Sequence, residues 1–129
     1  MLTLPSSVKI YLATSATDMR KGHDGLAALV KQQLGEDVYS GHLFVFISRK
    51  ADRVKILSWD NGGFVMYYKR LEKGRFRRPK LAAEQKSVSL EPSQLSMLLD
   101  GIDFSRVRKP HRWQPRYCDE AAAMKSVGA

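Results

Sequence analysis

The sequence contains a single cysteine, three histidines and no long run of apolar residues. One cysteine, Cys118, excludes an internal disulfide and any metal site that needs several thiolates. The histidines lack the paired spacing of a zinc site. No stretch approaches the roughly 18 apolar residues that span a bilayer, and the N-terminus MLTLPSSVKI lacks the charged and apolar regions of a signal peptide. We therefore expect a cytoplasmic protein without a membrane partner.

Acidic residues are scarce relative to basic ones. The chain has 22 Lys and Arg residues against 13 Asp and Glu residues, which gives a formal net charge of +9. Such a charge attracts polyanions, because neutralising their phosphates releases condensed counterions. At 129 residues the chain is long enough for one modest core and too short for two. The composition therefore predicts one folded domain with nucleic acid as its partner.

Hydrophobic patterning predicts strands along much of the chain. GHLFVFIS (41–48), RVKILSWD (53–60) and FVMYYKRL (64–71) are rich in β-branched and aromatic residues, and the polar turns RKAD and NGG separate them. The glycines of NGG supply the positive φ angles of a tight hairpin. These segments predict a three-stranded antiparallel meander. VKIYLA (8–13) predicts a first strand, and SVSL (87–90) alternates like an edge strand.

Two helices are predicted on either side of the meander. Apolar residues at helical spacing predict a main amphipathic helix from about Met19 or Gly22 to Leu34, followed by a glycine that can end it. The stretch EPSQLSMLLDGID predicts a short second helix, because Pro92 suits the first helical position and Gly101 suits the C-cap region.

Together these elements predict an α+β fold. We expect an antiparallel sheet of about five strands, covered on one face, with one main helix after strand 1 and a short helix near the C-terminus. RFRRP (75–79) is expected to add a short strand until Pro79 removes the ladder donor. A single domain is expected over residues 1–104. Residues 105–129 contain two prolines and little periodicity, which predicts a basic, partly flexible C-terminal tail.

The segment YYKRLEKGRFRRPK (67–80) concentrates charge of one sign, with seven basic side chains and one acidic one. Because side chains alternate along a strand, the first cations of this stretch lie on both of its faces. The remaining cations continue through the turn, and we expect the whole set to form a ridge at the end of the sheet. The predicted phosphate-binding residues of this ridge are Lys69, Arg70, Lys73, Arg75, Arg77, Arg78 and Lys80. Tyr67, Tyr68 and Phe76 lie among them and could stack on exposed bases. The alternative is a solvated edge strand whose charge prevents aggregation.

Two further stretches carry candidate phosphate ligands. In the tail, Arg108, Lys109 and Arg112 lie among aromatic residues, which is typical of an arm that becomes ordered on nucleic acid. The alternative is an ordinary charged terminus. Ahead of the main helix, Arg20 and Lys21 in DMRKGHDG are placed to present cations to a phosphate. The alternative there is a helix cap with surface charge.

The same DMRKGHDG stretch contains Asp18, His23 and Asp24, which raises the possibility of a small metal-dependent nuclease. Their spacing matches no established ligand set, and the sequence has no Walker loop, GxGxxG or G-x-S-x-G motif. We therefore expect a protein that is not an enzyme and that needs neither a cofactor nor a metal, with the nuclease kept as a third alternative.

Three blocks of the chain resemble a known family. IYLATSATDMRKGHDGLAALV, GHLFVF and VKILSWDNGGFVMYYKRLEKGRF resemble, in order and spacing, the TnpB-type accessory proteins (second-frame, Orf2-like) of insertion-sequence family 66. DMRKG and YKRLE-GRF are that family's most recognisable segments. Two positions depart from the pattern. His23 stands where an aromatic residue such as Phe is expected, and a buried histidine would need a hydrogen-bond partner. SRKADR replaces the usual Arg- and Gly-rich turn.

The resemblance implies a transposition accessory protein of a bacterial insertion sequence, encoded beside a separate and larger transposase. The charge favours phosphate-mediated binding to DNA, at the element ends or non-specifically, while the protein assists that transposase. The alternative function is a protein–protein adaptor that docks the transposase or another element-encoded protein without direct DNA contact.

Overall fold

The computed structural model describes residues 5–78 and 85–101, together with the backbone of two short C-terminal strands. A five-stranded sheet, in the order β4-β3-β2-β1-β5, forms the centre of the fold. Its strands are β1 (Ile10–Ala13), β2 (Leu43–Ile47), β3 (Arg53–Asp60), β4 (Gly63–Arg70) and β5 (Ser87–Leu90). Tyr117–Cys118 and Ala123–Met124 form a separate two-stranded antiparallel pair. Otherwise the predicted tail lies outside the described residues.

The predicted meander is confirmed, and so is the α+β class. Strands β2, β3 and β4 pair antiparallel in succession, and Asn61 and Gly62 make the tight turn between the last two, with φ angles of 42° and 89°. Strand β5 pairs antiparallel with β1. Strands β1 and β2, however, run parallel, with Ile10 opposite Leu43. The sheet is therefore mixed and not wholly antiparallel, because the main helix connects β1 to β2 as a crossover.

Both predicted helices are present. Helix α1 (His23–Leu29) continues directly as a π-helix over Val30–Leu34 and ends at Gly35, whose φ angle of 66° is left-handed. A 3₁₀ turn follows at Val38–Ser40. Helix α2 (Pro92–Leu99) begins with a capping box, and Gly101 after it has a φ angle of 77°. Within the described ranges, no helix combines the length and apolar character that crossing a bilayer requires.

Both faces of the sheet are covered, so the expectation of a single covered face is wrong. Alternate residues of β2 point to opposite faces, and each set packs against a different helix. The α2 face contains Leu43, Val45, Ile47, Leu95, Leu98 and Leu99. The α1 face contains Phe44, Phe46, Leu26 and Val30. All five side chains of the central strand β2 are buried, which explains why this stretch is apolar throughout and does not alternate.

The turn between β2 and β3 is tight and internally bonded. The Ser48 N–H donates to the Arg53 carbonyl at 3.0 Å, and the Ala51 N–H donates to the Ser48 carbonyl at 2.9 Å. The Ser48 hydroxyl contacts the Asp52 carboxylate at 3.1 Å. Ala51 has a φ angle of 60°, a left-handed conformation that costs a residue with a Cβ about 1–2 kcal/mol. The turn therefore carries local strain at the position where glycine would be unstrained.

Replacing Ala51 with glycine tests that strain. Ala51→Gly should leave the free energy of unfolding unchanged or raise it by up to about 1 kcal/mol, because relief of the left-handed conformation offsets the removal of the packed methyl group. Ala27→Gly in α1 is the matched control, since Ala27 is also half-buried but helical, and it should lower that free energy by about 1 kcal/mol. Urea denaturation measures both. Equal destabilisation by the two variants would show that Ala51 is not strained.

Candidate nucleic-acid interface

Three segments meet at one end of the sheet, where several of its strands begin or end. Because β1 and β2 are parallel, the loop after β1 (14–22) and the turn after β2 (48–53) lie at the same edge. Strand β4 also ends there, since Arg70 lies opposite Arg53, and leads into residues 71–78. We term these residues (14–22, 48–53 and 70–78) the cationic edge. Its basic residues are Arg20, Lys21, Arg49, Lys50, Arg53, Arg70, Lys73, Arg75, Arg77 and Arg78, and its carboxylates are Asp18, Asp52 and Glu72.

Backbone hydrogen bonds fix segment 71–78 against the β2–β3 turn. The Leu71 N–H donates to the Asp52 carbonyl at 2.8 Å, and the Phe76 N–H donates to the Ala51 carbonyl at 2.6 Å. The strand expected for RFRRP does not form over its described residues, 75–78, because the Phe76 amide bonds to the turn and not to a neighbouring strand. Phe76 is only 2% exposed, so it belongs to the α2-face core and cannot stack on a base as expected.

A buried lysine holds the loop after β1. Lys55 lies on β3 with 9% of its surface exposed, and its ammonium donates to the carbonyls of Met19 and Lys21 at 2.8 and 2.9 Å. The same group lies 5.1 Å from the centre of the Tyr68 ring, within cation–π range. The Thr17 N–H adds a bond of 2.9 Å to the Ile47 carbonyl. These contacts satisfy a charge that would otherwise be costly to bury, and they fix the position of Arg20.

Asp18 is paired with Arg20 within the loop. The Arg20 guanidinium donates to the Asp18 carboxylate at 2.8 Å, and the Arg20 N–H donates to it at 2.9 Å. The side-chain bond, followed by the backbone bond, holds the pKa of Asp18 well below its usual range, and the same pairing raises the pKa of Arg20. Because the Arg20 side chain is 91% exposed, the pair contributes little stability. Its main effect is to neutralise a carboxylate.

The residues of the nuclease alternative are not assembled into a ligand set. His23 and Asp24 are exposed at the start of α1, so His23 needs no internal partner, while Asp18 is paired with Arg20. In the described part of the chain, no three His, Cys, Asp or Glu residues are grouped to hold a metal.

Part of the predicted ridge points to solvent. Lys73, Arg75 and Arg77 are exposed, and no carboxylate within residues 5–78 and 85–101 forms an ion pair with them. Arg70 is exposed and contacts Glu72 at 3.3 Å. Among the described residues, these four side chains therefore face solvent. Four other predicted ligands, Lys80, Arg108, Lys109 and Arg112, lie outside the described residues.

Two predicted ligands are hydrogen-bonded inside the protein instead. The Lys69 ammonium donates to the Leu99 carbonyl at 2.7 Å, where a cation suits the C-terminal end of α2. Arg78 Nη2 donates to the Ser48 carbonyl at 2.8 Å, and desolvation lowers the pKa of Arg78. The Arg78 bond therefore supports the fold of the cationic edge, and the Lys69 bond joins β4 to α2.

Sequence reasoning missed three cations of the turn. Arg49, Lys50 and Arg53 line a groove of about 490 Å³ between residues 16–20 and the turn. The signal was present in the order strand, helix, strand, which is typical of a parallel pair. That pairing brings the turn after β2 beside the loop after β1. The groove is thus a product of the sheet topology.

Comparison with known proteins identifies relatives across most of the chain. The family model described as IS66 Orf2 like protein matches residues 8–109. An uncharacterized protein of Sinorhizobium fredii, y4jC, is 38% identical over 104 residues, which cover 80% of this chain and 87% of that protein. A second uncharacterized protein of that species, y4hO, is 37% identical over 115 residues, 89% of this chain and 96% of the relative. No solved structure matches the chain. The family match includes all three segments of the cationic edge.

The role of Lys55 can be tested by removing its ammonium. Lys55→Met keeps an unbranched stem but removes the ammonium, which leaves the Met19 and Lys21 carbonyls without their donor. We expect the free energy of unfolding to fall by about 1–3 kcal/mol and the amides of residues 14–22 to exchange hydrogen faster. Lys31→Met, at an exposed position, should change stability by less than about 0.5 kcal/mol. If Lys55→Met is as stable as wild type and its amides of residues 14–22 exchange as slowly, these bonds do not hold the loop.

Proposed function

This chain belongs to the family of IS66 Orf2-like proteins, which are insertion-sequence proteins, and we propose that it assists a separate transposase by binding DNA. The proposed role is that of a non-enzymatic accessory factor. The observation that carries the proposal is the cationic edge, where three segments distant in sequence place ten basic residues beside three carboxylates. Such an excess of positive charge favours a polyanionic partner.

The arrangement of the edge supports contact with phosphates. Arg75 and Arg77 project from a segment whose backbone is bonded to the β2–β3 turn on both sides, through Leu71 and Phe76. Exposed arginines on a fixed backbone lose less conformational entropy on binding, and a guanidinium can donate two hydrogen bonds to one phosphate. Two of the three carboxylates, Asp18 and Glu72, are already paired with arginines, so they oppose an incoming phosphate less than free carboxylates would.

This mode of binding implies weak sequence preference. Phosphate contacts fix the position of a protein on DNA but carry no direct sequence information. We propose that Lys80 and the basic residues of the tail, Arg108, Lys109 and Arg112, add further contacts of the same kind. The transposase would then supply sequence recognition, and this protein would supply affinity for the adjacent backbone.

The salt dependence of duplex binding tests the proposal. For wild type, log Kobs should fall linearly with log salt concentration, and Arg75→Gln/Arg77→Gln should reduce the steepness by about 0.9 for each phosphate that the variant no longer neutralises. Fluorescence anisotropy with a labelled duplex, repeated over a series of salt concentrations, measures both quantities. Arg78 is left intact because its bond to the Ser48 carbonyl supports the segment.

A control variant with the same change of charge separates the edge from the total charge. Lys9→Gln/Lys31→Gln removes two exposed cations that lie outside the cationic edge, and it should keep nearly the wild-type slope. An equal reduction in both double variants would mean that total charge, and not this edge, attracts DNA. A wild-type affinity that does not change with salt would overturn the DNA-binding proposal altogether.

A second candidate function, the protein–protein adaptor, is supported by strand β4. This strand pairs only with β3 in the described sheet, and Val65, Tyr67 and Tyr68 are 53%, 40% and 50% exposed. An exposed edge strand with apolar side chains can accept a strand from another protein.

Capture of the purified transposase that survives nuclease treatment and is abolished in Val65→Lys would favour the adaptor. Capture that requires DNA and is abolished in Arg75→Gln/Arg77→Gln would favour DNA binding.

A further inference from the structure

The groove between the first loop and the β2–β3 turn has a defined position in the sheet. It has a volume of about 490 Å³ and is formed by residues 16–20 on one wall and by the turn on the other. It lies at the carboxyl ends of β1 and β2, which are parallel. Crevices at the carboxyl ends of parallel strands are where open α/β sheets bind ligands, and this volume lies within the range of small-molecule sites.

The lining of the groove selects for an anion. Four of its side chains are cations, Arg20, Arg49, Lys50 and Arg53, against the two carboxylates of Asp18 and Asp52. Asp18 is neutralised by Arg20, and Asp52 accepts a hydrogen bond from the Ser48 hydroxyl. The cations of the turn are therefore in excess.

The lining also argues against recognition of a base. Ala16 and Met19 are the apolar members, and none of the described residues that form the groove is aromatic. A nucleobase would find no ring on which to stack, whereas a phosphate would find guanidinium and ammonium donors. Thr17 is among the lining residues, and a threonine hydroxyl can donate to a phosphate oxygen without adding charge.

The two walls are held at a fixed separation. The Thr17 N–H is bonded to the Ile47 carbonyl at 2.9 Å, and the Lys55 ammonium holds the Met19 carbonyl at 2.8 Å. Thr17 and Ser48, one from each wall, are each only 7% exposed. The groove is thus formed before any ligand arrives, which reduces the entropy cost of binding.

We propose that this groove binds one phosphate group of DNA, through Arg49, Lys50, Arg53 and the Thr17 hydroxyl, and thereby sets the position of the DNA on the cationic edge. The phosphate could belong to an internal phosphodiester or to a strand end, since both present the same oxygens. The inference rests on the proposed function, because it specifies where one backbone phosphate is held. The exposed residues of segment 71–78 would contact neighbouring phosphates.

The first experiment follows backbone amides of the full ¹⁵N-labelled chain by NMR during titration with inorganic phosphate. The expected result is a saturating shift of the amides of residues 16–20 and 48–53, which Arg49→Gln/Lys50→Gln abolishes. Arg49 and Lys50 are exposed, so this variant should fold normally. A linear, non-saturating change spread over all basic segments would overturn the proposal.

The second experiment measures affinity for two short duplexes of identical sequence, with and without 5′-phosphates. Arg49→Gln/Lys50→Gln should bind about tenfold more weakly than wild type, while Lys9→Gln/Lys31→Gln, equal in charge, should not. Thr17→Val should also weaken binding, which general charge attraction would not explain. If wild type prefers the phosphorylated duplex and the groove variant does not, the ligand is a strand end. If the groove variant loses affinity equally for the two duplexes, the ligand is an internal phosphodiester.

The outcomes separate this inference from the proposed function. If the groove variants bind duplex as tightly as wild type while Arg75→Gln/Arg77→Gln does not, the groove is not a phosphate site, although the DNA-binding proposal stands. If wild type binds neither duplex at low salt, the proposed function fails. Saturating phosphate shifts in the groove would then show an anion site unrelated to duplex DNA, which would also overturn the inference as stated.

Discussion

The carbonyl groups at the end of β2 and in the β2–β3 turn are the constraint on which the cationic edge depends. The Ile47 carbonyl accepts the Thr17 N–H from the α1 side of the sheet, and the Ala51 carbonyl accepts the Phe76 N–H from the α2 side. Each such bond contributes only about 0.5–1.5 kcal/mol. Together, however, they join the loop after β1 to the end of β2 and segment 71–78 to the turn that follows it. The cations therefore come from segments on both faces of the sheet, and backbone hydrogen bonds hold these segments around the β2–β3 turn.

Basic residues at this edge serve two different purposes. Lys55 and Arg78 donate to backbone carbonyls of the edge and hold its segments in place, while Lys69 joins β4 to the end of α2. Arg75 and Arg77 lie in solvent on the backbone that this bonding fixes. A count of charges in the sequence cannot separate the two groups, because Lys69 and Arg78 occur within the same dense basic stretch as Arg75 and Arg77. The separation depends on which carbonyls the fold leaves within reach of each side chain.

Local patterns predicted the local structure well. The NGG turn and the strands beside it gave the meander, and Pro92 and Gly101 marked the ends of α2. The parallel pairing of β1 with β2 and the cover on both faces were missed, although the uniformly apolar run LFVFI (43–47) indicated a strand buried on both sides. The groove could not be predicted without that pairing. The contact of Lys55 with Met19 spans 36 residues, and no local pattern specifies a contact of that range.

The two surfaces proposed for partners point in different directions. Within the described sheet, strand β4 pairs on one side only, so its other row of backbone groups faces sideways, in the hydrogen-bonding direction of the sheet. The cationic edge lies instead across the strand ends, where Arg53 and Arg70 are opposite each other. A polyanion at the strand ends and a protein strand beside β4 would therefore contact different groups of the same sheet. The adaptor as first defined excludes contact with DNA, but two separate surfaces would also allow a bridging role, in which the protein holds DNA at the strand ends and another protein beside β4 without a change of fold.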